Sequence, residues 1–287
     1  MTLSQLAAES TTTMLSIYGV RVAARITGSG DPVLLLNGLS RPMQSWASFG
    51  DALRGRTVVT LDVPGVGASE TPVVPYSMPM LSDIAVGVLN EFGVATADVV
   101  GFSFGGAVAQ QIAFGHPSRV NRLVLLATSC GVGSVPGRAH DVTRILLRPN
   151  EGTRWAQPNP LGLLWQIAAI STWSSIGDLG RIEAPTLIVC GAGDKAVPPA
   201  NSRILAARIP DARLVTHPRR TRSAKARSRS GCGPTGRAVS RRAGPRWRAN
   251  SPVRFSRRPA PHHCRIASAP TREPPLRGSA RPDRRAR

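Results

Sequence analysis

Residues 97–112, ADVVGFSFGGAVAQQI, decide the fold that this chain can adopt. Their first part is apolar and suits a buried strand, and the part from Gly105 onward repeats apolar side chains at helical spacing. Between the two parts, Gly101-Phe-Ser103-Phe-Gly105 matches the pattern G-x-S-x-G, in which a serine occupies a strained turn between strand and helix. Glycine is needed on both sides because larger side chains would collide with the strand and the helix. The stretch predicts a turn that lifts the Ser103 hydroxyl above the sheet edge, next to a helix N-terminus that favours negative charge.

Around this stretch, short apolar runs alternate with segments of helical spacing, which is typical of βαβ units and a mostly parallel sheet. The predicted strands are residues 14–20, 22–26, 32–37, 57–61, 97–100, 121–126, 184–190 and 213–216. The predicted helices are residues 44–53, 78–92, 105–114 and 201–209. The alternation stops over residues 134–179, where tryptophans and prolines predict a short inserted helical cap. We therefore expect an α/β fold with helices on both faces of the sheet.

The positive charge of the chain is concentrated near its C-terminus. The formal net charge is +21, but residues 218–287 hold 21 Lys and Arg against 2 Asp and Glu, which leaves the preceding part nearly neutral. This segment is rich in Arg, Pro, Ser, Ala and Gly, and it contains too few aliphatic residues to offset the entropy of ordering it. The composition predicts a truncated domain over residues 1–217 and a disordered tail over residues 218–287.

Composition also argues against several classes of function. The basic tail can neutralise phosphates, but it lacks an RNA-binding signature and offers only Trp247 and Phe255 for base stacking, so we expect only non-specific contact with nucleic acid. The four cysteines form no C-x-x-C pair, and we expect no metal and no organic cofactor. No secretory signal and no apolar stretch of membrane-spanning length is visible, which predicts a cytoplasmic protein without a membrane span.

Two further motifs follow predicted strands. Asn37-Gly38-Leu39 ends the strand 32–37, and we expect the backbone N–H groups of Leu39 and Phe104 to form an oxyanion hole. Asp194 follows the strand 184–190, at the carboxyl end where catalytic groups collect in parallel sheets. Its position after Ser103 matches the chain order serine, acid, histidine. The sequence therefore predicts Ser103 as a nucleophile and Asp194 as the acid that assists it.

The glycine-containing loop at residues 62–70 matches a nucleotide-binding loop only in part. Asp62-Val-Pro-Gly65-Val-Gly67 supplies G-x-G, but Glu70 stands where the dinucleotide fingerprint requires a third glycine. We therefore interpret it as a tight loop after a strand.

Together these motifs resemble the α/β-hydrolase superfamily, and within it the intracellular poly(3-hydroxyalkanoate) depolymerases. The residues that carry the closer resemblance are Gly-Phe-Ser-Phe-Gly-Gly-Ala-Val-Ala-Gln-Gln from Gly101, His116-Pro, Arg-Leu-Val-Leu-Leu-Ala-Thr-Ser from Arg122, Gly133-Ser-Val-Pro-Gly137, the Asp62 loop and Trp165-Gln. The resemblance covers about residues 14–217. It implies an α/β-hydrolase fold, Ser103 as nucleophile, Asp194 as acid, and hydrolysis of a carboxylic ester in a small-molecule or polyester substrate. Since the cap is shorter than is usual in that group, a small-molecule esterase or lactonase is the alternative.

The catalytic histidine that the resemblance implies is missing from its usual place. In this family it follows the last strand in a Gly-His context, whereas here His217-Pro-Arg-Arg-Thr-Arg follows, with His217 about four residues early. The other histidines are His116 at a helix end, His140 in the cap, and His262 and His263 in the tail. We therefore expect impaired catalysis. A non-catalytic protein with a basic, nucleic-acid-binding tail remains the alternative.

A reading-frame shift near Pro218 is our hypothesis for this loss. The residues Arg-Arg-Thr-Arg after Pro218 can be encoded as CGG CGG ACA CGN. Read one base later, these codons give Gly-Gly-His, the expected context, and out-of-frame translation of a GC-rich gene produces a tail of this composition. The nucleotide sequence around codon 218 tests the hypothesis.

Overall fold

A single eight-stranded sheet organises the part of the chain that the computed structural model describes, residues 12–147 and 159–218. Its strands are β1 Thr13–Ile17, β2 Val20–Thr27, β3 Asp31–Leu36, β4 Arg56–Leu61, β5 Ala97–Phe102, β6 Val120–Leu126, β7 Thr186–Gly191 and β8 Ala212–His217. They lie in the order β1-β2-β4-β3-β5-β6-β7-β8. β1, β2 and β4 pair antiparallel, and every other pair is parallel. The predicted mostly parallel α/β sheet is therefore confirmed.

Helices connect the parallel strands, as the spacing predicts. They are α1 Met78–Glu91, α2 Phe104–Gly115, α3 Ala139–Leu147, α4 Pro160–Ser171 and α5 Pro199–Arg208. The segment Met43–Leu53, predicted as a helix, is a 3₁₀ helix, and two shorter ones cover Pro117–Arg119 and Leu179–Arg181. Within the described ranges, none of these helices is both long enough and apolar enough to cross a lipid bilayer.

The predicted cap contains α3 and α4. Residues 148–158 between them lie outside the described residues, and so does the predicted tail apart from Pro218. The cap is joined to the body by hydrogen bonds at both of its helices. Arg138, just before α3, donates from its backbone N–H to Lys195 at 2.8 Å, and Trp165 in α4 donates from Nε1 to Pro72 at 2.9 Å.

The two faces of the sheet are covered unequally, because side chains of a strand alternate between faces. On one face, fully buried residues from five strands pack with α1 and α2 into the main core; they include Leu34, Val59, Val99, Leu123 and Ile188. The opposite face holds a small cluster of Val33, Leu35 and Trp46. Farther along that face, Val189 of β7 is half-buried and Val215 of β8 is 40% exposed. Burial on this second face therefore declines toward β8.

Parallel pairing brings the carboxyl ends of β3 to β8 to one edge of the sheet. The predicted oxyanion turn follows β3, Ser103 follows β5, Asp194 follows β7, and His217 ends β8. Since ligands bind at this edge in open parallel sheets, the topology brings the predicted site residues to the edge where a site is expected.

Substitutions at two neighbouring residues of β7 test whether the two faces of the sheet are buried unequally. Replacing the fully buried Ile188 by Ala is expected to lower the free energy of unfolding by about 2–5 kcal/mol, through lost burial and a cavity. Replacing the half-buried Val189 by Ala is expected to cost about 1 kcal/mol or less, because its methyl groups are partly in water already. Denaturant unfolding of both variants measures this, and equal losses would contradict the asymmetry.

Candidate active site

Ser103 occupies a strained turn between β5 and α2. Its φ of 52° and ψ of −116° lie outside the conformations that an L-residue adopts without cost. The turn is held by three hydrogen bonds: the Ser103 N–H donates to Leu126 at 2.8 Å, and its carbonyl accepts from Thr128 Oγ1 at 2.8 Å and from the Gly106 N–H at 2.9 Å. The side chain is partly exposed. The backbone therefore presents a hydroxyl at the sheet edge, in the geometry that the G-x-S-x-G pattern predicts.

The glycines around Ser103 are required by close contacts. A methyl group at Gly101 would lie 2.6 Å from the Gly106 Cα, and one at Gly106 would lie 2.6 Å from the Thr128 Cβ. A methyl group at Gly105 would collide with the carbonyl oxygen of Leu36, at the end of β3. Backbone atoms cannot yield as a flexible side chain can, so strand, turn and helix pack this closely only because these positions have no side chain.

The predicted oxyanion turn lies directly against Ser103. A methyl group placed on Gly38 would be 3.4 Å from the Ser103 Cβ and 3.0 Å from the Phe102 ring. Leu39 is the next residue along this turn. On the other side of Ser103, Phe104 is the first residue of α2, so its N–H belongs to the first turn, where helical donors have no acceptor within the helix. The structure thus places Gly38, the neighbour of the predicted donor Leu39, against Ser103, and the predicted donor Phe104 directly after Ser103.

An arginine lies over the ring of the residue before Ser103, and a helix begins just after Ser103. The Arg41 guanidinium lies 5.9 Å from the centre of the Phe102 ring, and burial lowers the pKa of this guanidinium. The N-terminus of α2 adds a partial positive charge next to Ser103. The helix N-terminus favours negative charge that develops on an atom bound at Ser103.

Asp62 ties the loop after β4 to the start of the 3₁₀ helix Met43–Leu53. Its side chain is fully buried, and it accepts from the Met43 N–H at 2.6 Å and from the Ala68 N–H at 3.0 Å. Burial raises the pKa of the Asp62 carboxyl, while these two hydrogen bonds and the Arg25 charge oppose the rise. A side chain at Gly67 would collide with this carboxylate. Gly67 therefore leaves room for the chain's own Asp62 carboxylate.

Asp194 lies just beyond β7 with its carboxylate fixed by backbone donors. Its Oδ1 accepts from the N–H groups of Ala196 at 2.9 Å and Val197 at 3.0 Å. β7 is two strands from β5, which separates the backbones by roughly 10 Å at the usual strand spacing. A triad acid acts on the nucleophile through a histidine between them, and this separation leaves room for one.

The strand order places His217 away from Ser103. Its backbone is in the ladder opposite Gly191, and its carbonyl accepts from the Ala192 N–H at 2.8 Å. β8 is three strands from β5, so the two backbones are roughly 14 Å apart. A general base must come within hydrogen-bonding distance of the proton it takes, and two side chains cannot close a gap of this size.

The other described histidines are also placed elsewhere. His116 follows the far end of α2, whose 12 residues span about 18 Å, and its Nε2 lies 2.8 Å from Asp83 Oδ1. His140 is exposed in the first turn of α3. His262 and His263 lie outside the described residues. In residues 12–147 and 159–218, no three His, Cys, Asp or Glu side chains form a group that could hold a metal ion.

Two buried glutamines, which belong to none of the predicted site residues, support the site. Gln110 in α2 donates from Nε2 to Gly106 and Ser129, both at 3.0 Å, and its Oε1 accepts from Ser175 Oγ at 2.7 Å. Gln166 in α4 accepts through Oε1 from the Ser40 N–H at 2.8 Å. The sequence feature that could indicate such a role is an amide side chain within an otherwise apolar helical segment. A buried amide needs hydrogen-bond partners, so it points to contacts with other segments.

Comparison with known proteins gives consistent relatives. A family model described as alpha/beta hydrolase fold matches residues 31–151. A poly(3-hydroxyalkanoate) depolymerase from Ectopseudomonas oleovorans is 33% identical over 216 residues, which are 64% of this chain and 75% of that protein. A 2-hydroxymuconate semialdehyde hydrolase from Pseudomonas putida is 31% identical over 232 residues, covering 68% of this chain and 82% of that protein. The crystal structure of a hydrolase from Pseudomonas aeruginosa PA01 matches with a TM-score of 0.64 and 28% identity, over 72% of this chain and 90% of that one.

Two glycines of α2 test the steric argument. Gly105→Ala is expected to lower the free energy of unfolding by about 3 kcal/mol, because its methyl group meets backbone oxygens. Gly115→Ala, at the exposed end of the same helix, is expected to leave stability unchanged or to raise it by up to about 1 kcal/mol, since its nearest neighbour is a side-chain atom 3.6 Å away. Denaturant unfolding compares the two, and similar losses would contradict the steric account.

The buried carboxylate of Asp62 gives a second prediction. Asp62→Asn turns one acceptor into a donor facing either the Met43 or the Ala68 N–H, and a loss of about 2 kcal/mol or more in the free energy of unfolding is expected. The matched variant Asp83→Asn changes a side chain that is 46% exposed and is expected to cost less than about 1 kcal/mol. Thermal or denaturant unfolding measures both, and a smaller loss for Asp62→Asn would refute its role.

Proposed function

The chain belongs to the α/β-hydrolase family, and we propose that it hydrolyses carboxylic esters through an acyl-enzyme formed on Ser103. In this proposal Asp194 is the acid, and the backbone N–H groups of Leu39 and Phe104 form the oxyanion hole. The observation that carries the proposal is the left-handed turn at Ser103, with Gly38 packed against its side chain and the N-terminus of α2 beside it.

The proposed reaction has two steps. The Ser103 oxygen bonds to the acyl carbon, the carbonyl oxygen becomes an oxyanion held by the two N–H groups, and collapse of this intermediate breaks the ester bond and releases the alcohol. Water then attacks the acyl-enzyme and releases the acid. Each step moves a proton, first from Ser103 to the departing alcohol and then from water back to Ser103.

None of the histidines in the described part of the chain lies where it could act as the general base for Ser103. Since strand order separates His217 from Ser103 and α2 separates His116 from it, we propose that proton transfer is impaired in this chain. Removing the base from a serine triad costs on the order of 10⁶ in kcat, so only oxyanion stabilisation and substrate binding would remain. Near-zero esterase turnover is therefore expected of the chain alone.

Two substrate classes fit the proposal. The 33% identity to the depolymerase from Ectopseudomonas oleovorans supports esters of 3-hydroxyalkanoates. The 31% identity to a hydrolase named for the small molecule 2-hydroxymuconate semialdehyde supports a small-molecule esterase or lactonase as the second candidate. Relative turnover of 3-hydroxyalkanoate oligomers, simple p-nitrophenyl esters and lactones under the conditions below separates the two classes.

Rescue by imidazole tests the proposed reaction. Added imidazole can take the proton that a histidine would take, so it is expected to raise p-nitrophenyl ester turnover at least tenfold above that of Ser103→Ala under the same conditions. The Ser103→Ala variant measures the hydrolysis that imidazole performs by itself. Mass spectrometry is expected to find the acyl group on Ser103 after rescue.

Each part of the proposal has its own contradicting outcome. Equal turnover of the unaltered chain and Ser103→Ala, with and without imidazole, would refute Ser103 as nucleophile. Full turnover without imidazole would refute the loss of the base and leave the nucleophile assignment standing.

A further inference from the structure

The cap helix α4 reaches the oxyanion turn through one buried hydrogen bond. The backbone N–H of Ser40 donates to Gln166 Oε1 at 2.8 Å, across 126 positions of sequence. Ser40 is 2% exposed and Gln166 is fully buried. A hydrogen bond shielded from water in this way is stronger than an exposed one, and losing either partner is costly.

The turn that contains the donor Ser40 has a strained conformation. Arg41 donates from its N–H to the Gly38 carbonyl at 3.1 Å, which closes a four-residue turn over Gly38–Arg41. Ser40, at the third position, has a φ of 54°, whereas Leu39 has no positive φ. This pattern is that of a type II turn, which strongly favours glycine at its third position. Serine there needs support from its surroundings, and the bond to Gln166 supplies it.

Planar peptides transmit this support to Leu39. The Gly38 carbonyl and the Leu39 N–H share one trans peptide, so the bond from Arg41 to that carbonyl directs the Leu39 N–H to the opposite side. The next peptide, between Leu39 and Ser40, is oriented by Gln166. A flip of this second peptide would convert the turn to type I and change the direction of the backbone on both sides of it.

The acceptor itself is firmly placed. Trp165, next to Gln166, donates from Nε1 to Pro72 at 2.9 Å, and a methyl group on Gly65 would lie only 2.5 Å from the Gly162 Cα, so α4 is packed closely on the body. Gln166 also lies beside Tyr76. Burial raises the pKa of Tyr76, and the Gln166 amide opposes part of that rise. Packing of α4 on the body therefore places the Gln166 amide, whose Nε2 has no hydrogen-bond partner among the described residues.

We propose that Gln166 is a positioning residue for the oxyanion hole: by holding the strained turn Gly38–Arg41, it keeps the Leu39 N–H directed toward Ser103. The proposal rests on the proposed function, because it concerns the hole used in ester hydrolysis. It makes seating of α4 on the body a condition for a formed oxyanion hole. Gln166 itself touches no reacting atom.

Kinetics of matched variants test the positioning role in the full chain, with p-nitrophenyl ester, imidazole and subtraction of the Ser103→Ala rate. Gln166→Met has a similar size and no acceptor oxygen, and we expect kcat to fall between 10-fold and 100-fold with KM changed less than threefold. Trp165→Phe removes another hydrogen bond between α4 and the body but keeps the close packing of Gly162 on Gly65 and the bond between Ser40 and Gln166, so its kcat is expected to stay within threefold.

A compensating substitution distinguishes positioning from simple packing. Glycine adopts a positive φ at little cost. The double variant Ser40→Gly with Gln166→Met is therefore expected to have a kcat at least fivefold higher than that of Gln166→Met alone. Amide hydrogen exchange measured by NMR gives a readout without turnover. The Ser40 amide is expected to exchange at least tenfold faster in Gln166→Met, and to stay protected in Gln166→Glu, which keeps the acceptor oxygen, and in Trp165→Phe.

The outcomes separate this proposal from the function on which it rests. If the unaltered chain shows no Ser103-dependent turnover, both fail. The positioning role alone is refuted if that turnover is present but the kcat of Gln166→Met stays within threefold of that of the unaltered chain. It is also refuted if kcat falls no further in Gln166→Met than in Trp165→Phe. If Gln166→Met does not fold, as judged by its thermal transition, the double variant Ser40→Gly with Gln166→Met still tests the role: exchange of its residue-40 amide as slow as in the unaltered chain would refute it.

Discussion

The left-handed backbone at Ser103 is the constraint on which the rest of the sheet edge depends. Such a conformation costs on the order of 1–3 kcal/mol for a residue with a side chain, and it persists only where neighbours impose it. Here Leu126 and Thr128, at the end of β6 and just beyond it, fix its amide and carbonyl. Glycines at positions 101, 105 and 106 allow β5, α2 and β3 to approach it. The result is a hydroxyl held at one place without any contribution from its own side chain.

Buried polar side chains organise the loops around this turn. Asp62 connects the loop after β4 to Met43, Gln110 connects α2 to the segments at Ser129 and Ser175, and Gln166 connects the cap to Ser40. Each joins segments that are distant in sequence. A buried polar group without a partner is costly, so these side chains permit few loop arrangements other than the observed one.

The sheet is well supported around Ser103 and less so toward β8. The main core covers one face from β2 to β7, whereas on the other face burial declines to the partly exposed Val215. The predicted base also belongs to the region after β8. The proposed impairment of proton transfer and the lower burial of one face near β8 would both follow from a frame shift near Pro218, which is a hypothesis about the gene. The observed strand order shows why His217 is not a simple replacement, since a residue in the β8 ladder stays three strands from Ser103.

The sequence alone determined the features that depend on local pattern. Apolar periodicity located all eight strands and the helices between them, and the G-x-S-x-G stretch identified the turn at Ser103. The resemblance to the α/β-hydrolase family, drawn from these motifs, is confirmed by the match over residues 31–151 and by the depolymerase at 33% identity. Periodicity and turn chemistry act over a few residues, so they can be read without knowing which segments meet.

Only the tertiary structure decided what depends on strand order and close approach. Nothing local to Gln166 or Ser40 indicates that they meet, because α4 and the oxyanion turn are brought together by the packing of the cap on the body. The reach of His217 likewise depends on how many strands lie between β5 and β8, and the role of Asp62 on which amides surround it. Such contacts arise when distant segments share one buried volume, and sequence spacing carries no measure of that distance.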